Sequence, residues 1–218
     1  MPTVYNVQNS TQLMNDISQI TFVPELKLAS LDISNMYTNI QTKDQISIIN
    51  NICKNHNIDT VTREIISITN LIIMQTHFSF QDKTYVQNNG PAMGAPTSSI
   101  ISEIYLQSLE NTKIFDILKE KKIIGYFMYV DDILIMCNEN ITDVNQVLKS
   151  FNDITTNQNF TLEQEEENKL NFLDILIIMT KEKFHSIYTG KNHLGHHHPK
   201  RLVPSNRTEI SGHQILHK

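Results

Sequence analysis

The run of apolar periodicities along this chain predicts an α+β fold, and three observations carry that reading. A strand-like segment, Leu26 to Ile33, ends on a lone carboxylate, Asp32. Several helical patterns follow it. Late in the chain, two segments rich in Ile, Leu, Val, Phe and Tyr flank Asp131-Asp132, which draws a β-hairpin with two acids at its tip. That order of helices and strands suits α+β rather than a doubly wound sheet.

The elements can be justified in turn. After Asp32, Ser34 to Ile40 is a polar turn with one aromatic, Tyr37. Thr42 to Lys54 and Thr60 to Gln75 read as core helices, with Ile46, Ile49 and Ile52, then Ile65, Ile68, Ile72 and Ile73, at helical spacing. Phe78 to Tyr85 alternates and turns, as a hairpin does. Gly90, Pro91, Gly94 and Pro96 make a rigid loop that another backbone or a ligand can approach closely. It is not a phosphate-cradling P-loop, because no Gly-Lys-Ser/Thr follows. Thr97, Ser98 and Ser99 are good helix N-caps, and Ile100, Ile101, Ile104, Tyr105 and Leu109 fit one face of a helical stretch from Thr97 to Glu120. Beyond the acidic hairpin, Thr142 to Asn157 reads as a helix. Phe160 to Glu163, Asn171 to Met179 and Lys183 to Tyr188 read as strands. Glu163-Gln164-Glu165-Glu166-Glu167 reads as a solvated turn between them. No internal repeat is evident.

Composition sets bounds. The 218 residues suffice for one domain with a true core, or one large domain with a tail, and 39% are hydrophobic. No window is apolar for long enough to span a membrane, and no signal peptide is visible. Cys53 and Cys137 offer neither a disulfide framework nor a zinc spacing, so the chain reads as intracellular, nucleus and cytoplasm not being distinguishable. Net charge is −5, with 18 Lys+Arg against 23 Asp+Glu, and Met1 to Glu25 contains no Lys or Arg. That balance is adverse for holding nucleic acid through phosphate contacts. Seven of the nine histidines fall between His185 and His217. In a Pro- and Asn-rich setting they read as a flexible tail, with a metal site as the alternative.

The chemistry begins with the paired acids. An Asp-Asp pair in a turn is by itself ordinary turn chemistry. Two adjacent carboxylates inside an apolar run are costly, however, unless they are paired or hold a metal. Asp32 is a candidate third acid. Three carboxylates converging on one sheet could hold two divalent ions about 4 Å apart and clamp the oxygens of an in-line displacement. Oxygen ligands of that kind suit Mg²⁺ or Mn²⁺.

In chain order, Leu31-Asp32-Ile33-Ser34-Asn35-Met36-Tyr37-Thr38-Asn39-Ile40, Gly90-Pro91-Ala92-Met93-Gly94-Ala95-Pro96-Thr97-Ser98 and Tyr129-Val130-Asp131-Asp132 resemble palm motifs A, B and C of reverse transcriptases. The details are most similar to Penelope-like retroelements, which show Asp-x-x-x-x-Tyr-Thr-Asn-Ile and Gly-x-x-Met-Gly-x-Pro. Asn171-Phe172-Leu173-Asp174 resembles the segment after the palm in that group. The resemblance covers roughly Lys27 to Tyr188.

The resemblance implies a polymerase palm, an antiparallel sheet with helices packed on one face. It implies an RNA-directed DNA polymerase of a retrotransposable element, with RNA template, DNA primer and deoxynucleoside triphosphates as partners, and no membrane. Asp32 and Asp131 would be the main ligands of two Mg²⁺ (or Mn²⁺) ions, with Asp132 the third carboxylate. Tyr37 would stack under the incoming sugar and exclude a 2′-hydroxyl, a core tyrosine being the alternative. Ile33, Gly90, Met93 and Gly94 would join Tyr37 around the nucleotide. Gln87, Pro96, Thr97 and Ser98 would lie along template and primer, and Asn171, Phe172, Leu173 and Asp174 would grip the primer end. Lys169 could match a lysine that protonates pyrophosphate, an ordinary surface lysine being the default.

Some features depart from the pattern. Met128 stands where relatives usually place Arg, and His198-Pro199-Lys200 is at most a remnant of a basic segment. The expected organisation is a truncated fingers remnant over residues 1–25, a palm over 26–188 and a degenerate tail over 189–218, with no thumb. The alternative function is a catalytically silent retroelement fragment with at most weak nucleic-acid binding. A carboxylate nuclease would explain neither Tyr37 nor the Gly90 loop.

Overall fold

Strict alternation along Leu26–Ser34 sends Leu26 and Leu28 to one side of the strand and Ala29, Leu31 and Ile33 to the other. A strand that is apolar on both sides must be covered on both sides, and this requirement shapes the molecule. The computed structural model describes residues 3–54, 60–87, 90–91, 95, 97–155, 157–180 and 183–189. In chain order its elements are β1 (Thr3–Asn6), α1 (Ser10–Ser18), β2 (Leu26–Ser34), α2 (Met36–Asn39), α3 (Thr42–Lys54), α4 (Thr60–Met74), β3 (His77–Phe80) and β4 (Lys83–Val86). There follow α5 (Ser98–Leu109), which runs through a π-helical turn at Glu110–Ile114 into α6 (Phe115–Glu120), then β5 (Gly125–Tyr129), β6 (Asp132–Asn138) and α7 (Val144–Asn152). β7 (Asn159–Gln164), β8 (Lys169–Phe172), β9 (Ile175–Met179) and β10 (Phe184–Tyr188) complete the described chain.

The main sheet has the order β1-β5-β6-β2-β7. All its pairs are antiparallel except β1 with β5. One face carries α2, α5, α6 and α7 over a core of Leu31, Ile33, Tyr126, Ile133, Ile135 and Phe151. The other face is covered by α1 and by a second antiparallel sheet, β10-β9-β8, over Leu28, Phe127, Leu134, Met136, Phe172 and Ile177. Of the helices, α2, α5, α6 and α7 pack on one face as expected, while α1 and the small sheet add a layer on the other. Residues 3–18 are built into both: β1 extends the main sheet, and Leu13 and Ile17 of α1 are fully buried in the second core.

Several local expectations are corrected. The segment Asn171 to Met179 is two strands, because Leu173 turns back with φ 54° and pairs Phe172 with Ile175. On α4, Ile73 is buried while Ile68 and Ile72 are exposed, because only one narrow side of that helix meets α3 and α5. Ile100 likewise faces outward on α5. Thr97 is the N-cap of α5, yet its helical backbone angles leave its hydroxyl without a cap hydrogen bond. Glu165 is more than a solvated turn residue. β7 ends beside Leu28, and the Glu165 carboxylate takes over as acceptor for the Leu28 N–H at 3.0 Å. Lys169 is an exposed strand residue 3.8 Å from Glu167. The His-rich tail lies outside the described residues. Among those described, no helix is long and apolar enough to cross a membrane.

Candidate functional site

The site grows from the pairing register. Asp32 on β2 stands directly opposite Asp132 on β6, and on its other side opposite Thr161 on β7. Asp132 in turn stands opposite Tyr129 on β5. One row across four strands therefore reads Tyr129, Asp132, Asp32, Thr161. The next row inward is Phe127, Leu134, Ser30, Glu163, since side chains on one face recur every second residue. Phe127 and Leu134 are sealed beneath the second core, while Asp32 is exposed and Asp131 and Asp132 are partly exposed. The acidic row thus emerges where the covering layer stops, on the face opposite α5–α7.

Asp131 reaches the same place through the backbone. Val130 and Asp131 form the two-residue connection between β5 and β6, and Val130 has φ 57°. A β-branched residue in the left-handed region is strained, and such strain collects at functional sites. The turn is held over by the Ile33 N–H, which donates to the Asp131 carbonyl at 3.3 Å. Ile33 itself is buried in the helix-side core, so its contribution here is that N–H.

These backbones bring three carboxylate-bearing residues to one end of the sheet. The donor set fits a hard divalent cation in kind, being all oxygen. Among the described residues, no three His, Cys, Asp or Glu side chains already converge closely enough to hold an ion.

Two further predicted residues meet on the helix side of the sheet, near Asp131. Tyr37 lies on the short helix α2, after Asn35 turns the chain with φ 53°. Burial pushes the Tyr37 phenol above its ordinary value, and the nearby Asp131 carboxylate adds to the shift. Gly90 packs against the Tyr37 backbone: a Cβ there would lie 1.8 Å from the Tyr37 carbonyl oxygen, and φ is +81°. The loop is anchored from behind, since the Gln87 N–H donates to the Thr76 carbonyl at 2.8 Å and Gln87 Nε2 donates to the Pro91 carbonyl at 3.1 Å. Ser98 is buried and Thr97 half-buried at the start of α5. Met93, Gly94 and Pro96 lie outside the described residues.

The Asn171–Asp174 segment divides. Asn171 is exposed on β8, whereas Phe172 is buried and Leu173 packs against the second core. The Asp174 carboxylate accepts a hydrogen bond from the Ser10 hydroxyl, and its carbonyl accepts from the Thr189 N–H at 3.0 Å. Sequence reasoning missed Thr161 and Ser10. Thr161 was findable, because alternation along Phe160 to Glu163 already sends it to the face opposite Phe160. The Ser10 contact joins residues 164 apart and leaves no local signal.

Residues 18–186 match the family described as "Reverse transcriptase (RNA-dependent DNA polymerase)". Among solved structures, the chain is similar to apo telomerase from Candida tropicalis truncated from its C-terminal domain, at 15% identity and TM-score 0.60, covering 84% of this chain and 41% of that one. It is similar to telomerase from Candida albicans in complex with a TWJ fragment of telomeric RNA, at 15% identity and TM-score 0.63, covering 82% and 35%. It is also similar to the BmCPV RNA-dependent RNA polymerase at quiescent state, at 13% identity and TM-score 0.56, covering 80% and 18%. At these identities the likeness shows the fold alone. The chain spans less than half the length of each of these three. No curated protein matches it.

Proposed function

Since this chain belongs to the reverse transcriptase (RNA-dependent DNA polymerase) family, we propose that it extends the 3′-hydroxyl of a DNA primer with deoxynucleoside triphosphates on an RNA template. The motif details favour a retrotransposable element of the Penelope-like kind. The observation that carries the reading is the placement of Asp32 opposite Asp132, with Asp131 tied to Ile33 beside them. Asp32 and Asp131, with Asp132, would hold two Mg²⁺ or Mn²⁺ ions, which stabilise the attacking and leaving oxygens of the displacement.

The remaining work of the chain is positional, as phosphoryl transfer mostly requires. The strained Val130 turn presents Asp131 at the end of β2. Tyr37, beside Asp131, lies under the incoming sugar and leaves no room for a 2′-hydroxyl. The loop at Gly90 closes on Tyr37 from the other side. Asn171 and the turn after it face the primer end, and the Ser10 contact holds that turn in place.

The test is primer extension on poly-rA/oligo-dT with Mg²⁺ or Mn²⁺. Incorporation by the wild-type chain that disappears in Asp131→Asn is the expected result. A wild-type chain that incorporates nothing with either ion overturns the proposal in favour of a catalytically silent fragment.

A further inference from the structure

We infer that Gly90 is a positioning residue for sugar selection, setting the place of the Tyr37 ring through direct contact with the Tyr37 backbone. The inference rests on the nucleotidyl-transfer reading of the site and deepens it. A Cβ at Gly90 would stand 1.8 Å from the Tyr37 carbonyl oxygen, 2.9 Å from its carbonyl carbon and 3.0 Å from the Thr38 Cα. Nothing larger than hydrogen fits there, and φ of +81° is itself a conformation that favours glycine. Loop and helix are thus in backbone contact at the residue whose side chain lies beside Asp131.

A clash at this point has one easy outlet. Gly90 and Pro91 are both buried, and Gln87 anchors the loop through its N–H to Thr76 and its Nε2 to Pro91. On the other side, α2 has only four residues, and its N-cap Asn35 makes no side-chain cap bond. Met36 and Ile40 are buried and hold the two ends of that segment. The peptide between them, at Tyr37 and Thr38, is what must move. Displacing it swings the ring away from the sugar while leaving Asp32 on β2, Asp132 on β6 and Asp131 in the β5–β6 turn where they are. Gly90 therefore acts on which nucleotide is accepted more than on whether transfer occurs.

The experiment compares kcat/KM for deoxy- and ribonucleotide incorporation in the wild-type chain, Gly90→Ala, Tyr37→Val and the double variant. Gly90→Ala should reduce the discrimination ratio roughly tenfold, a modest effect for ångström-scale misplacement. In the Tyr37→Val background the same change should alter the ratio by less than about twofold, because two residues acting through one ring are not additive. Equal losses for both sugars in Gly90→Ala, or effects that multiply in the double variant, overturn the inference. If Gly90→Ala does not fold, Gln87→Met removes the side-chain anchor at Pro91 and should lower the ratio in the same direction; an unchanged ratio counts against it. If the wild-type chain extends no primer, the proposed function fails by itself and spectroscopy decides this point. In chain labelled with 3-fluorotyrosine, the resonance lost in Tyr37→Phe should shift in Gly90→Ala (or Gln87→Met), and an unmoved resonance overturns the inference.

Discussion

Val130 offers a direct reading of strain at the acidic turn. Its φ of 57° places a Cβ where it crowds the following carbonyl, at a cost of about 1–2 kcal/mol. Replacing Val130 by Ala and by Gly separates that cost from packing. Both variants lose the valine methyls, which lie against the helix-side core. Ala keeps the Cβ and so keeps the strain. Gly removes it but adds about 0.5–1 kcal/mol of chain entropy to be lost on folding. The difference leaves Val130→Gly more stable than Val130→Ala by about 0.5–1 kcal/mol, the reverse of their order at an unstrained position. For a chain of this size that is about 1–4 °C in Tm. Thermal melts followed by far-ultraviolet circular dichroism measure it. A Val130→Ala melt equal to or above that of Val130→Gly would refute the claim that the turn is strained.

Other expectations follow from neighbouring features. Burial raises the Glu165 carboxyl above its ordinary value, against the Leu28 N–H and Lys27, which lower it. The folded chain then holds that proton more tightly than the unfolded chain. The resulting stabilisation is complete below the unfolded value of about 4.3 and is lost as pH rises through the folded one. Glu165→Gln, which keeps an acceptor for Leu28, should therefore raise Tm at pH 7 and not at pH 4; equal shifts at both would contradict this. The Cys137 thiol is fully buried and pushed up to about 11. In a Cys53→Ser background it should react with Ellman's reagent no faster than the chain unfolds, and rapid native labelling would count against its burial. Ser10→Ala removes the hydroxyl bonded to Asp174 and should lower stability by about 1 kcal/mol, with faster amide exchange confined to the Leu173–Asp174 turn. Unaltered exchange there would mean that α1 does not hold the turn.

The legible parts of the fold were those with a strong local period. β2, the β5–β6 hairpin and α3 follow from apolar spacing, and the hairpin tip brought Asp131 and Asp132 with it. What the sequence hid was pairing between distant segments. β1 has four residues, too few to show a period, and exists because β5 offers it a parallel edge. The break at Leu173-Asp174 was invisible because Phe172 and Ile175 both face the core, so the apolar signal continues across the turn. Within the site, the opposition of Asp32 and Asp132 is a matter of register, which no local pattern specifies. The contact of Gly90 with Tyr37 joins residues 53 apart, and only the glycine's lack of a side chain hinted that something comes close.

The central claim is that acids on two strands act together on one kind of ligand, and Mn²⁺ binding followed by electron paramagnetic resonance tests it most directly. The wild-type chain should bind Mn²⁺, and Asp32→Asn and Asp131→Asn should each weaken binding on the order of tenfold or more. Manganese affinity that is the same in the wild-type chain and in both variants would contradict the account.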